Sequence, residues 1–288
     1  MSSYLEQFNY QFLSGGGRKW TLGEVQAESA SPGLTRWVFL HGLMGYAINW
    51  RKITTLMGPN DLCLIFDQRG HGQSVKPEFG YAPEDYAQDL KHILDEIGWS
   101  KINLVGHSMG ARNALLFAAR HAEYLNLLVM EDLGPDSSEK ALPYYEMLLN
   151  SVPTPFPTKL AAKEYFMNDF RKVPVRGDRD TIGLYFYSNI VDLPGGGADW
   201  RFSKQAILES VRQGRAKDHW NEFRALSMPT LVIRGADSEE LTRETFEKME
   251  RANPRVEAAE IADAGHWVHY DQPEKFVEAL KSFAMKST

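Results

Sequence analysis

The stretch Gly106-His107-Ser108-Met109-Gly110 constrains this chain more than any other. It follows the apolar run 102–105 and precedes the alanine-rich segment 111–120, so it reads as a strand, a sharp turn and a helix. That context turns a loose G-x-S-x-G pattern into a nucleophile elbow, in which a serine sits on a tight turn with its hydroxyl clear of the sheet. Gly106 and Gly110 leave room where a Cβ would clash. Ala111, Ala114, Ala118 and Ala119 would let the following helix lie close to the sheet. The alternative, a tight turn with an incidental serine, is disfavoured by these flanks.

The rest of the chain supplies a sheet for that turn to stand on. Residues 8–13 and 20–28 alternate well enough to be strands, joined as a hairpin by Ser14-Gly15-Gly16-Gly17. The triple glycine is not read as a dinucleotide loop, because no helix is expected after it. Residues 37–40, 62–66 and 127–130 are short apolar strands, and 50–56 and 83–97 are helical, the second from a proline with apolar residues at helical spacing. Strands that alternate with helices and read as continuous apolar runs imply a mostly parallel sheet covered on both faces.

The alternation stops at Gly134-Pro135. From about 137 to 217 the text is helical, interrupted by proline and rich in aromatics, with no clear strand. The sheet resumes at 230–233 and 256–261, and a helix at 274–285 closes the chain. The expected organisation is a core of 1–136 and 218–288 with a helical insertion, 137–217. The insertion begins at the strand end that bears the site, so it reads as a lid.

Composition narrows the partners. The 288 residues suffice for one large α/β domain with a sizeable core. Net charge is −6 with no long basic run, which argues against nucleic acid and anionic membrane surfaces. Cys63 is the single cysteine, so no intramolecular disulfide can form. No secretory leader and no apolar run long enough to span a bilayer are read, and a soluble cytoplasmic protein acting on a small molecule is expected.

Open α/β sheets bind ligands at the carboxyl ends of their strands. Those ends offer His41-Gly42, residues 67–72, Ser108, Glu131-Asp132, residues 234–239 and Asp263-Ala264-Gly265-His266. A serine hydroxyl needs an adjacent base, and histidine suits because it titrates near neutral pH. His266 has the expected chain order of serine, acid, histidine. His269 is expected to pack against or cap the last helix, His41 to orient its own loop, and His71 to be structural. The acid that fixes the base is ambiguous: Asp132 follows the strand next after the nucleophile strand, while Asp237 and Glu239 follow the strand after the insertion. The oxyanion of a tetrahedral intermediate needs two donors. The backbone N–H groups of Met109 and Leu43 are the candidates. No metal or organic cofactor is expected, since the histidines are scattered and no phosphate loop or zinc-type spacing occurs.

With these residues in place, the chain resembles the α/β-hydrolase superfamily. The shared marks are the His41-Gly42 loop, Asp67-x-Arg69-Gly-His71-Gly-x-Ser74, the Ser108 elbow and Ala264-Gly-His266. The resemblance implies an eight-stranded, mostly parallel sheet flanked by helices, with a helical cap inserted after the sixth strand. Within the superfamily the chain is most similar to small bacterial carboxylesterases and related acyl hydrolases, through His41-Gly-Leu-Met-Gly45, Asp132-Leu-Gly-Pro135, Arg234-Gly-Ala-Asp-Ser238 and Ala264-Gly-His-Trp-Val268. In some of those esterases the acid follows the strand after the nucleophile, a position that Asp132 matches. The commoner acid position, three residues after the glycine ending the later strand, holds Ser238 here. Asp132 is therefore favoured, with Asp237 and Glu239 as alternatives. Haloalkane dehalogenases and epoxide hydrolases share the scaffold but use an aspartate nucleophile, against which Ser108 argues. The expected activity is cleavage of carboxylic esters, or thioesters, of small to medium acyl groups through an acyl-enzyme on Ser108. The rivals are a carbon–carbon bond hydrolase or lyase on the same residues, distinguished by polar and charged lid groups reaching Ser108, and a non-catalytic ligand receptor.

Overall fold

Alternation along the strands explains how one sheet comes to have two buried faces. In β3 (Thr35–Leu40), Trp37 and Phe39 pack into one apolar cluster, while Val38 and Leu40 pack into another on the opposite face. The computed structural model describes residues 3–28, 33–175 and 179–287. Before β3 come β1 (Tyr10–Ser14), β2 (Arg18–Trp20) and α1 (Leu22–Ala27). After it come α2 (Arg51–Leu56), β4 (Asp61–Phe66), α3 (Pro83–Ile97), β5 (Ile102–His107), α4 (Met109–Arg120) and β6 (Leu125–Glu131).

The next elements are α5 (Ala141–Ser151), α6 (Lys159–Asn168), α7 (Arg179–Ser188), β7 (Ile190–Asp192), β8 (Ala198–Trp200) and α8 (Lys204–Gly214). The chain then returns to the sheet through α9 (Trp220–Arg224), β9 (Thr230–Gly235), α10 (Arg243–Ala252) and β10 (Val256–Ile261), and ends with α11 (Val268–Asp271) and α12 (Pro273–Ser287).

The main sheet has eight strands in the order β10-β9-β6-β5-β3-β4-β1-β2, parallel except where β1 pairs with β4 and β2 pairs with β1. One face is covered by α3, α4, α9 and α10 through residues such as Leu90, Ile93, Leu115, Phe223 and Phe246. The other is covered by α2 and α12 through Ile53, Phe276, Leu280 and Phe283. The expected eight-stranded, mostly parallel sheet flanked by helices is thus observed. No described helix is long and apolar enough to cross a membrane.

Two local expectations are corrected. Residues 20–28 do not continue as a strand, because α1 begins at Leu22. The Thr21 hydroxyl accepts from the Glu24 N–H at 3.2 Å, and the Glu24 carboxylate accepts from the Thr21 N–H at 2.6 Å. This reciprocal cap is announced by the Thr21-x-x-Glu24 spacing and satisfies two otherwise orphaned donors, so it outweighs the alternation. The stretch between β6 and β9 is mostly helical but contains the antiparallel pair β7–β8, turning at Gly196 and Gly197, whose φ angles are 92° and 81°. It builds its own apolar cluster around Phe166, Phe170, Phe186 and Trp200, distinct from the two that flank the sheet.

The close approach of α4 to the sheet has a steric condition. A Cβ on Gly106 would lie 2.3 Å from the Gly110 carbonyl oxygen, and one on Gly110 would lie 2.3 Å from that of Leu40. Both obstacles are backbone, which cannot swing aside. Gly106→Ala should therefore destabilise the fold by about 1–3 kcal/mol, read from urea unfolding; a variant as stable as the parent would refute this packing.

Candidate active site

The strand order lines up the loops that matter. Across β10, β9, β6, β5 and β3, the carboxyl ends bring together the segment containing His266, the Gly235–Ser238 turn, Asp132, Ser108 and the His41–Gly45 loop. Ser108 caps α4 with φ 54° and ψ −117°, a conformation that L-residues rarely adopt. Met44, Asp132 and Asp263 are the other described non-glycine residues with positive φ, and all lie in these same loops. Such angles persist where the surroundings over-determine them. For Ser108 the determinants include its N–H donating to the Glu131 carbonyl at 2.9 Å.

Asp132 is fully buried and surrounded by donors. Its Oδ1 accepts from the Gly235 N–H at 3.1 Å. Its Oδ2 accepts from the Ser238 hydroxyl and lies 2.8 Å from His266 Nδ1. A proton on Nδ1 donates to Asp132 and leaves Nε2 as the basic nitrogen of the ring. Burial disfavours the charged imidazole, but the hydrogen bond and negative charge of Asp132 outweigh it, so His266 titrates above its ordinary 6.5. Asp237 and Glu239 line the same cavity but, among the described residues, neither is hydrogen-bonded to His266. Ser238, which stands where the commoner acid would be, instead anchors Asp132.

The oxyanion candidates occupy the opposite side. Leu43 and Met109 both face the space beside Ser108. The loop bearing Leu43 is held by two buried histidines. His41 Nε2 accepts from the Gln68 N–H at 2.9 Å and Nδ1 donates to the Gly42 carbonyl at 2.8 Å. His71 Nε2 accepts from the Met44 N–H at 3.3 Å, and Nδ1 donates to the Arg69 carbonyl at 2.9 Å. Burial pushes them down to about 4 and about 3 respectively, so both are neutral supports. Asp67 ties the neighbouring loops, accepting from Ala47 N–H at 2.7 Å, Gln73 N–H at 2.9 Å and Asn9 Nδ2 at 2.8 Å.

A second buried cluster lies behind the first, and the sequence reading did not assemble it. His269 donates its N–H and Nδ1 to Glu131 at 2.9 and 2.8 Å and stacks on Trp50 with ring centroids 4.3 Å apart. Burial pushes the Glu131 carboxyl up to about 7 and the His269 imidazole down to about 3, so the ring is uncharged near neutral pH. His107 Nε2 donates to the His266 carbonyl at 2.9 Å. His107, Glu131 and His269 offer metal-type ligand atoms within 4.8 Å of one another, but these hydrogen bonds already engage them. The signal for the cluster was local: three polar residues beside elbow and base that the chemistry did not need.

The cavity in front of Ser108 and His266 measures about 340 Å³. The insertion contributes Tyr144, Tyr145, Leu148, Thr181, Ile182, Tyr185 and Phe186, and the Tyr185 hydroxyl donates to the Leu43 carbonyl at 3.3 Å.

Comparison with known proteins agrees with this fold. A model of the alpha/beta hydrolase fold matches residues 38–273. The chain is 26% identical over 246 residues to 2-(acetamidomethylene)succinate hydrolase of Mesorhizobium japonicum, covering 85% of this chain and 86% of that protein. It is 29% identical over 249 residues to an sn-1-specific diacylglycerol lipase of Mus musculus, covering 85% and 80%. The solved structure of E-2-(acetamidomethylene)succinate hydrolase superposes with a TM-score of 0.74 at 25% identity, covering 96% of this chain and 94% of that one. A marine microorganism esterase shares the fold with a TM-score of 0.75 at 20% identity, covering 96% and 98%.

The raised His266 value has a direct check. In a ¹H–¹⁵N titration, with the His266 signal assigned by its loss in His266→Ala, the midpoint should lie above 6.5. Asp132→Asn should move it downward by removing the charge that favours the imidazolium. An unmoved midpoint would show that Asp132 does not polarise the ring.

Proposed function

The chain belongs to the alpha/beta hydrolase fold family, and we propose that within it this protein is a serine hydrolase of carboxylic esters or thioesters with small to medium acyl groups. The observation that carries the reading is the contact of Asp132 with His266 Nδ1, facing the same cavity as Ser108 on its strained turn. Its relatives include hydrolases, an esterase and a lipase, which supports hydrolysis as the reaction class.

The proposed chemistry runs as follows. Ser108 Oγ attacks the acyl carbonyl while His266 Nε2 takes its proton. The carbonyl oxygen becomes an oxyanion, stabilised by the N–H groups of Leu43 and Met109. The tetrahedral intermediate collapses, the C–O or C–S bond breaks, and His266 returns the proton to the departing oxygen or sulfur. Water then attacks the acyl-enzyme with His266 again as base, releasing the acid and regenerating Ser108. Asp132 stays ionised throughout and stabilises the imidazolium. The insertion 137–217 serves as the lid, and its aromatic and aliphatic side chains form an apolar wall suited to an acyl chain.

One observation favours a second reading. Arg215, from within the insertion, lines a recess beside Ser108, and a charged lid group near the nucleophile also suits a carbon–carbon bond hydrolase. A 1,3-diketone cleaved faster than any ester would favour that reading.

Turnover of short p-nitrophenyl esters should fall by at least about 10³-fold in Ser108→Ala. Asp132→Asn should cost far more than Asp237→Asn or Glu239→Gln. Unchanged turnover in Ser108→Ala, or a larger loss at Asp237 or Glu239, would overturn these assignments.

A further inference from the structure

Arg112 lies on α4 four residues after Ser108, and its backbone N–H donates to the Ser108 carbonyl at 3.2 Å. Residues at that spacing share a helix face. Arg112 is only 5% exposed. Among the described residues its guanidinium makes no hydrogen bond and no ion pair. It packs against Gly214, where a Cβ would come within 3.0 Å of one of its nitrogens.

This side chain lines a small recess of about 20 Å³ together with Ser108, Met109, Tyr145, Ser210 and Arg215. Leu43, Ser108 and Tyr145 line both the recess and the main cavity, so the recess opens past the nucleophile. Arg215 already has an acidic partner, Glu240, at 3.5 Å, and also donates to the Asp136 carbonyl at 3.4 Å. Two guanidinium groups thus share the field of one carboxylate, Glu240, which leaves a net positive charge at the recess. Burial and the neighbouring Arg215 weigh against the charged form of Arg112 and are only partly offset by Tyr145 and Glu240, yet a guanidinium does not give up its proton in proteins. A buried charge with no partner is costly. The acidic residues Asp237, Glu239, Glu240 and Asp271 line the main cavity and not the recess, so the site is electrically polar from end to end.

We infer that Arg112 binds a carboxylate of the substrate, and that the preferred substrates are short monoesters of dicarboxylic acids. The inference rests on the reading that Ser108 attacks an acyl group in this cavity. A planar, two-oxygen anion matches the guanidinium fork, and the recess is too small for a bulky tetrahedral one. Because the recess adjoins Ser108 and Met109, few bonds separate the carboxylate from the scissile carbonyl. The rest of the molecule extends toward the apolar and acidic part of the cavity.

The test compares monoethyl esters of malonic, succinic and glutaric acids with neutral isosteres in which an isopropyl group replaces the carboxylate. Acid release is followed in a pH-stat. For at least one spacer the wild-type kcat/KM should favour the anion by roughly ten- to a hundredfold. Arg112→Gln should abolish that preference, and Arg112→Lys should restore part of it. No preference in the wild type at any spacer, or equal losses for both members of a pair in Arg112→Gln, would overturn the inference while leaving the esterase reading intact. If no ester of either kind is cleaved, the esterase reading fails, and calorimetric binding of the same pairs to Ser108→Ala decides the rest. Tighter binding of the anion that disappears on adding Arg112→Gln supports the carboxylate site; equal binding rejects it.

Discussion

The contact between the Asp132 carboxylate and His266 Nδ1 is the interaction on which the rest of this site depends. It joins residues 134 positions apart in sequence, and it exists only because β6, β9 and β10 are neighbours in the sheet. The acid is held by donors from the next strand end, the Gly235 N–H and the Ser238 hydroxyl, so it meets the imidazole already fixed. In a buried, low-dielectric setting such a fixed charge acts strongly on its neighbour. The same burial that would discharge His266 is offset by it. Remove the carboxylate and both the ring orientation and the proton affinity of the base change together.

The histidines behind this contact work by being neutral. His41 and His71 brace the Leu43 loop, and the Glu131–His269 pair sits beneath the elbow. Each is buried and hydrogen-bonded, and burial discharges the three imidazoles. The three histidines set the backbone as neutral rings, while the Glu131 carboxyl adds to the field of Asp132 that favours the positive charge on His266. Arg112 departs from this pattern. It is buried near Ser108 with no ion pair or hydrogen bond of its own among the described residues, which is why the recess suits an anion from outside the fold.

Much of this was legible in the sequence, for physical reasons that can be named. The continuous apolar runs and the glycines around Ser108 specify buried parallel strands and a close helix, and α3 begins at Pro83 and ends at Ile97 as its spacing requires. The strand ends could be ranked because ligands gather there. What could not be read was whatever depends on orientation. The sequence favours Asp132 over Asp237 and Glu239 only through a resemblance; the register of β6 against β9 is what brings it onto His266. Ser238 as the partner of Asp132, and Arg112 as an unpaired charge, are likewise properties of packing. The helix at α1 was readable from Thr21-x-x-Glu24 and overrules the alternation there, since two hydrogen bonds at Thr21 and Glu24 weigh more than a short period-two pattern.

Hydrolysis at this site requires that the Ser108 hydroxyl be made nucleophilic by His266. A fluorophosphonate reports this without knowledge of the natural substrate, because it reacts with an activated serine and stays attached. Peptide mass spectrometry of the folded wild-type protein should find one adduct, on Ser108, forming much more slowly in His266→Ala and ever more slowly as pH falls through the titration of His266. A folded protein left unmodified at Ser108, or modified at the same rate without the imidazole, would contradict it.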